Sequence, residues 1–297
     1  MEHFALVADL GGTKIAVARV GSTGKITHSL LAPTPPAGGA GVVETIANLL
    51  TQLPAQGACA IGVGVPGVAY PDGSVWAPNI SGWKRMPLAR MLGEQFKLPV
   101  LVDSDRNAFV TGEKWHGLAQ DCSDVIFVMI GTGIGAGIIS GGRLLRGHGE
   151  LSGCAGWMAV RDKFLLGYEA VGCLEFHASG TGIARAARQV FHEPMTTQHL
   201  VELARAGDEK AMQTIAEAGR ILGLGLANLV SILNPQIIVV GGGVAAAGNL
   251  LLTPARQTLR QWAQPLAAKQ VRVVRSHMGS RAGILGVAKL CFDQFQL

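Results

Sequence analysis

Charged side chains make up only 15% of the 297 residues and hydrophobic ones 48%, so the chain is a packed globular protein and not a disordered one. Cysteine is sparse and odd in number. Cys59, Cys122, Cys154, Cys173 and Cys291 lie far apart with no Cys-x-x-Cys, which argues against a disulfide framework and predicts free thiols in a reducing cytoplasm. Met1-Glu2-His3 leads straight into the first predicted strand, so no secretory leader is expected, and no apolar run free of turn signals reaches membrane-spanning length. The formal charge is +5, yet no run of Lys and Arg reaches five, and Arg185, Arg188, Arg205 and Arg220 fall on separate helical stretches. Nucleic acid is therefore not an expected partner; a mildly basic cleft for an anionic substrate is compatible. Aromatic residues amount to 5%, against 41 glycines. That balance favours a turn-rich α/β chain with close backbone approaches. The length suffices for two domains, each with its own core.

What is present is a repeated pattern. Residues 6–21 lie over residues 126–141, with Gly11 on Gly131, Ala16 on Ala136 and Gly21 on Gly141. Each copy is an apolar run, a Gly/Thr turn and a second apolar run, which predicts a β-hairpin. Two such turns, one per half, can grip a polyphosphate from both sides. Around them the spacing predicts strands at 26–32, 59–65, 100–102, 236–240 and 271–275. Helices are predicted at 42–53, 88–96, 106–115, 174–179, 182–190, 197–206, 209–233, 251–264 and 281–295. The alternation means mixed sheets covered by helices, with no linker between the halves.

Asp9, closing the first strand before two glycines, can hold a metal-bound water beside a phosphate, or simply form the turn. Gly11 and Gly12 offer N–H groups and Thr13 a hydroxyl; Lys14 can reach phosphate or stay solvated. Gly131-Thr132-Gly133 is the matching turn. Its glycines recur at every second residue and a strand follows, so it is no dinucleotide fingerprint, and no Gly-Lys-Ser/Thr marks a Walker loop. Gly241-Gly242-Gly243, after Ile237-Ile238-Val239-Val240, lets a flat ring lie on main chain, or forms a tight strand–helix turn. Asp105 stands at a predicted helix start, where unpaired N–H groups favour the ionised form that a proton acceptor needs. Plain N-capping is its alternative, and Asp103, pointing away from Ser104, is the rival acid. Pro78-Asn79-Ile80-Ser81-Gly82-Trp83 is either a sugar-contacting loop with a ring face or a surface loop with a docked Trp.

In order and spacing these pieces resemble the sugar-kinase branch of the ROK family (repressors, open reading frames and kinases). The motifs are Asp9-Leu10-Gly11-Gly12-Thr13-Lys14, Gly64-Val65-Pro66-Gly67, Pro78-Asn79, Ser104-Asp105-Arg106-Asn107, the glycine run 131–137, Gly172-Cys173-Leu174-Glu175 and Gly241-Gly242-Gly243. The resemblance spans nearly the whole chain. It implies a duplicated actin-like ATPase (ribonuclease H-like) fold: two α/β lobes with mixed sheets flanked by helices, and a cleft between them. The lobes are expected at 1–112 plus 283–297 and at 113–282. It implies ATP and Mg2+ as cofactors, and phosphorylation of a hydroxyl, the primary one, on a hexose or a hexose-like amino sugar or cyclitol. Asp105 is then the catalytic base. Asp9, Gly11, Gly12, Thr13, Lys14, Gly131, Thr132, Gly133, Gly241 and Gly242 surround ATP, with Asp9 holding Mg2+ through water. Gly67, Asn79, Ser104, Asp105, Glu175, Cys154 and Trp157 fall at substrate positions. A homodimer is implied by analogy.

The departures concern the substrate side. The family's Asn before the base is Ser104 here, and its Glu-x-Gly-His is Cys154-Ala155-Gly156-Trp157. Its zinc loop Cys-x-Cys-Gly-x-x-Gly-Cys-x-Glu becomes Leu166-Gly167-Tyr168-Glu169-Ala170-Val171-Gly172-Cys173-Leu174-Glu175. Of four ligand-type residues only Cys173 is left, so no zinc is expected. Leu166, Tyr168 and Trp157 are expected to fill the space as an apolar cluster; the alternative for Trp157 is stacking on substrate. Glu150 and His148 are candidate replacements for the lost contacts. The rival functions are a catalytically weak or non-enzymatic sugar-binding paralogue, and a repressor. The first strand begins within a few residues of Met1, which speaks against the helix-turn-helix of the repressor branch.

Overall fold

The computed structural model describes residues 3–297. They form two compact units: one of residues up to Asp121 with Leu144–Ser152 and Met278–Leu297, the other of Cys122–Arg143 and Gly153–His277. The borders expected at 112 and 283 thus lie inside the first unit, which also takes in Leu144–Ser152.

In the first unit, β1 (Phe4–Leu10), β2 (Lys14–Gly21) and β3 (Ile26–Pro33) make an antiparallel meander. It is followed by α1 (Gly39–Thr51) and β4 (Ala60–Val65). The short strands β5 (Val68–Ala69) and β6 (Val75–Trp76), then α2 (Leu88–Phe96), β7 (Val100–Ser104) and α3 (Asp105–His116), complete the run. The sheet order is β3-β2-β1-β4-β7, with β4 parallel to both β1 and β7. Side chains alternate across β1. Leu6, Ala8 and Leu10 pack with Val42, Ile46 and Leu50 of α1. Ala5 and Val7 meet Ile284, Leu285 and Val287 of the C-terminal helix, Arg281–Phe295. That helix also crosses α3 at very short range: a Cβ on Gly112 would stand 2.0 Å from the Ala282 carbonyl oxygen, and one on Gly286 1.6 Å from that of Ala108.

The second unit repeats the scheme. Its strands are β8 (Val125–Ile130), β9 (Ile134–Ser140), β10 (Arg143–Leu144), β11 (Ile237–Gly241) and β12 (Arg272–Arg275), in the order β10-β9-β8-β11-β12. Its helices are α4 (Tyr168–Val171), α5 (Cys173–Ala178), α6 (Gly180–Phe191), α7 (Thr197–Arg205), α8 (Glu209–Leu233), α9 (Asn249–Trp262) and α10 (Pro265–Gln270). Hairpin, parallel strand and parallel strand follow in the same spatial order as before, so the weak echo between residues 6–21 and 126–141 marks a duplicated topology. The matching registers pair Asp9 with Gly64 and Met129 with Gly241. The acid of the first copy is therefore a methionine in the second. By length and composition α8 would suffice to cross a membrane, although it is interrupted by Gly219, Gly223, Gly225 and Asn228. Here Ile215, Leu222, Leu226 and Val230 on it are buried in the core of the unit.

Candidate active site

Register aligns Asp9, Gly64 and Asp103 across β1, β4 and β7, placing two acids on one sheet face with a glycine between them. The Asp9 carboxyl occupies room left by two missing side chains. A Cβ on Gly64 would approach its Oδ1 to 3.4 Å, and one on Gly283 of the C-terminal helix its Oδ2 to 2.7 Å. Burial pushes Asp9 up to about 7; the nearby charge of Asp105 adds to the rise and Lys14 opposes it.

Asp105 is the first residue of α3. Its Oδ1 accepts from the Arg106 amide at 2.7 Å and from Ser104 Oγ at 3.4 Å. Its carboxyl is nonetheless held above the ordinary value, because burial outweighs the Arg106 charge and these hydrogen bonds. The expectation that the helix start would favour ionisation is thus reversed: desolvation is the larger effect. Plain N-capping is also excluded for Asp105, since Ser104 takes the cap position, with no side-chain bond to the helix. Ser104 Oγ instead accepts from Arg106 Nε at 3.0 Å.

The rival acid is fully engaged. Asp103, 2% exposed, accepts on Oδ1 from the Ser104 amide at 2.7 Å, Asn107 Nδ2 at 2.8 Å and Arg146 Nη1 at 3.2 Å, and on Oδ2 from Arg146 Nη2 at 2.6 Å. Asp103 therefore shapes the turn that presents Asp105. Glu150 is held by Arg146 at 2.9 Å, which commits that candidate replacement to an ion pair, and His148 is exposed. Arg146 carried no signal in the sequence; only the fold brings it to β7.

The first glycine turn is pinned from outside the hairpin. Thr34 donates its hydroxyl to Gly11 O at 2.8 Å and its amide to Thr13 O at 3.0 Å, while Gly11 N bonds Lys14 O at 2.9 Å. Gly12, Thr13 and Lys14 are exposed, and a Cβ on Gly12 would meet nothing within 4 Å, so this edge is open to a ligand. Gly67 is required by packing, its absent Cβ facing the Trp76 carbonyl at 2.1 Å. Asn79 is exposed. Trp83 is buried and donates Nε1 to Gly39 O at 2.9 Å, so its ring is a docked anchor and not a sugar platform.

In the second unit, Gly180 N donates to Gly131 O at 2.8 Å and Thr181 Oγ1 to Thr132 O at 2.8 Å. Glu175 Oε2 accepts from Ile134 N at 2.7 Å and presses on Gly133 and Gly156; burial raises this carboxyl against the pull of that amide. Glu175 thus buttresses the turn, a role its motif did not reveal. Gly241 makes room for the Phe127 ring, and Gly242 adopts φ 88° against the Ile130 carbonyl. Of the three glycines only Gly243 faces open space. Cys154 and Trp157, on either side of Gly156, are exposed.

The ROK family model matches residues 6–294. The chain belongs to the ROK family. This ROK protein is 32% identical to a glucokinase of Halalkalibacterium halodurans, over 94% of its own length and 92% of that protein's. It is 34% identical to an N-acetylmannosamine kinase of Escherichia fergusonii, over 96% and 97%. A ROK family glucokinase from Streptomyces griseus, solved in complex with glucose and AMPPNP, matches with a TM-score of 0.85 at 33% identity, covering 98% of this chain and 99% of that one. The fold is accordingly the duplicated actin-like ATPase (ribonuclease H-like) fold.

At the zinc-loop positions this ROK protein offers one thiol, one phenol and two apolar side chains, a donor set that does not fit tetrahedral zinc. Among the described residues no three His, Cys, Asp or Glu side chains gather as a metal site. The expected apolar cluster is corrected: Trp157 is 56% exposed and Leu166 91%. Only Tyr168 turns inward. Its ring meets Phe164 and Phe176 edge-on, and its hydroxyl bonds His177 Nε2 at 2.5 Å. The aromatic and imidazole neighbours of α5 capture Tyr168 and leave Leu166 and Trp157 in solvent.

Proposed function

We propose that this chain, an enzyme of the ROK sugar-kinase type, transfers the γ-phosphoryl group of ATP to a hydroxyl, the primary one, of a hexose or of a hexose-like amino sugar or cyclitol. The observation that carries the reading is the division of labour among three acids: Asp103 is consumed by four hydrogen bonds, while Asp9 and Asp105 are both held protonation-ready by burial. A base whose affinity for protons lies above the ordinary carboxylate range takes a proton from an alcohol more readily near neutral pH. Asp105 accepts that proton as the alcohol oxygen attacks phosphorus and the bond to the leaving ADP oxygen breaks. Ser104 and Arg106 keep its carboxyl in place.

Asp9 supplies one hard oxygen donor beside the open turn, the ligand type that Mg2+ takes together with substrate phosphates. Mg2+, when bound, balances the charge that gathers on the transferred group. Gly11, Gly12, Thr13 and Lys14, with Gly131, Thr132 and Gly133, are assigned to the phosphates, and Gly241 and Gly242 to the adenosine. Gly67, Asn79, Ser104, Glu175, Cys154 and Trp157 are assigned to the substrate. Exposure of Trp157 supports the stacking reading over the packing one. Cys154 and Trp157 also make the substrate preference differ from that of enzymes with Glu and His there, because a site without an acceptor loses its hold on the matching hydroxyl. We further infer that the protein holds no structural zinc; metal analysis of protein purified without chelator is expected to find less than one zinc per ten chains, and one zinc per chain would refute this.

A coupled ADP-release assay with ATP and Mg2+ across glucose, mannose, N-acetylmannosamine, N-acetylglucosamine and inositol tests the kinase. At least one substrate is expected to raise turnover a hundredfold or more above the substrate-free rate. Saturable sugar binding without turnover would instead show the non-enzymatic paralogue.

A further inference from the structure

Away from these residues, the second unit contains a cavity of about 780 Å3, within the range of small-molecule sites. It lies among α5, α6, α8 and the loop before α4. Four cations line it, Arg161, Arg185, Lys210 and Arg220, against one carboxylate, Glu217. Scattered surface cations are ordinarily just solvated, but these are organised. Glu217 Oε1 holds Arg161 Nη2 at 2.9 Å and its Oε2 holds Arg220 Nε at 2.7 Å, so one carboxylate gathers two guanidiniums and leaves the group with excess positive charge. Arg185 sits over the Phe176 ring, its Cζ 3.4 Å from the centroid, and donates Nη2 to the Phe176 carbonyl. Lys210, Thr214, Glu217 and Arg220 recur at helical spacing on one face of α8. His177, in the same wall, is held below its ordinary value by burial and by Arg161 and Arg185, against the pull of Glu217, so it adds no positive charge to the wall near neutral pH.

We propose that this cavity is a second ligand site, taking a phosphorylated small molecule whose occupancy is transmitted to the glycine turn at 131–133. Guanidinium forks match phosphoryl oxygens in pairs, and Phe176 and Ile221 supply an apolar floor for the carbon skeleton. Transmission follows from shared helices. α5 bears Phe176 and His177 in the cavity wall and, one residue earlier, Glu175, which takes the Ile134 amide. α6 bears Arg185 in the wall and begins with Gly180 and Thr181, which hold the Gly131 and Thr132 carbonyls. A phosphoryl group bridging Arg185 on α6 to Lys210 and Arg220 on α8 therefore restrains the α6 buttress directly, and the α5 buttress through the hold of Arg185 on Phe176. Only the consequence for catalysis rests on the kinase reading.

Titration calorimetry of the full chain with inorganic pyrophosphate and with fructose 1,6-bisphosphate tests the site, compared with the Lys210→Glu/Arg220→Glu and Lys210→Gln/Arg220→Gln variants. Saturable binding of at least one probe to the wild type is expected, weakened about tenfold or more by either double substitution, with unchanged circular dichroism. In the wild type the probe should also slow hydrogen exchange at the 131–134 amides. Absence of saturable binding, or equal binding by the well-folded Gln variant, would overturn the site. Binding without slowed exchange would overturn the transmission. None of these readouts needs turnover, so loss of the kinase assignment would leave them unaffected.

Discussion

Two neighbouring acids, two residues apart, have opposite fates. Asp103 is ion-paired and saturated, while Asp105 is half-buried and desolvated enough to raise its proton affinity. Asp105→Asn keeps the shape and removes the acceptor; kcat is expected to fall by about 10³-fold, with thermal stability unchanged or slightly higher. A steady-state assay with differential scanning calorimetry checks both. For Asp9 the sign can be worked out. Its carboxyl titrates near 3.8 when unfolded and about 7 when folded. Between those values the folded chain keeps a proton that the unfolded chain has released, so this group's contribution to stability falls as pH rises from about 4 to 7. Asp9→Asn removes the dependence: its Tm should equal that of the wild type at pH 4, exceed it at pH 8, and come with lost activity. The residue types at 9 and 105 were legible in the sequence. Their protonation was not; at Asp9 the burial comes from the C-terminal helix and from Gly64, far away in the chain.

At the scale of elements, the turn at 104–105 is rigid because the loop bearing Arg146 and the helix α3 both grip Asp103. Arg146→Met leaves a buried carboxylate without its cation, and stability to urea should fall by about 2–3 kcal/mol. Arg146→Lys, which keeps the charge but loses the fork, should recover only part of that. The crossing of α3 and the C-terminal helix depends on Gly112 and Gly286. Gly286→Val should cost about 3 kcal/mol or more by overpacking, seen as a lower urea midpoint, and should also lower kcat because α3 carries Asp105. The long elements were readable from periodicity, and the ends of α8 and of the C-terminal helix fall where the pattern predicted them. α10 and the short strands carry too few residues for any period, and the fate of the 161–168 loop was decided by contacts with α5.

For the whole molecule, the first unit is discontinuous in sequence: its sheet is covered on one face by the last helix of the chain. Ending the chain at residue 280 should therefore abolish hydrogen-exchange protection in β1, β4 and β7 while strands β8, β9 and β11, covered by helices of their own unit, stay protected; equal loss in both sets would contradict the division. The duplication itself was faintly written, in three identities over sixteen positions. The shared strand order shows why so little was needed, since alternating apolar residues and a glycine turn suffice to specify a hairpin. What the sequence by itself determined were the local things: the strands and helices, the glycine turns, the acids at strand ends and the family pattern, all carried by neighbours within a few positions. Tertiary structure alone decided which acid is saturated and which is left with a raised proton affinity, that Trp157 faces solvent and Trp83 does not, and that four scattered cations share one cavity, because burial and charge neighbourhood depend on residues brought together only when the sheets are covered.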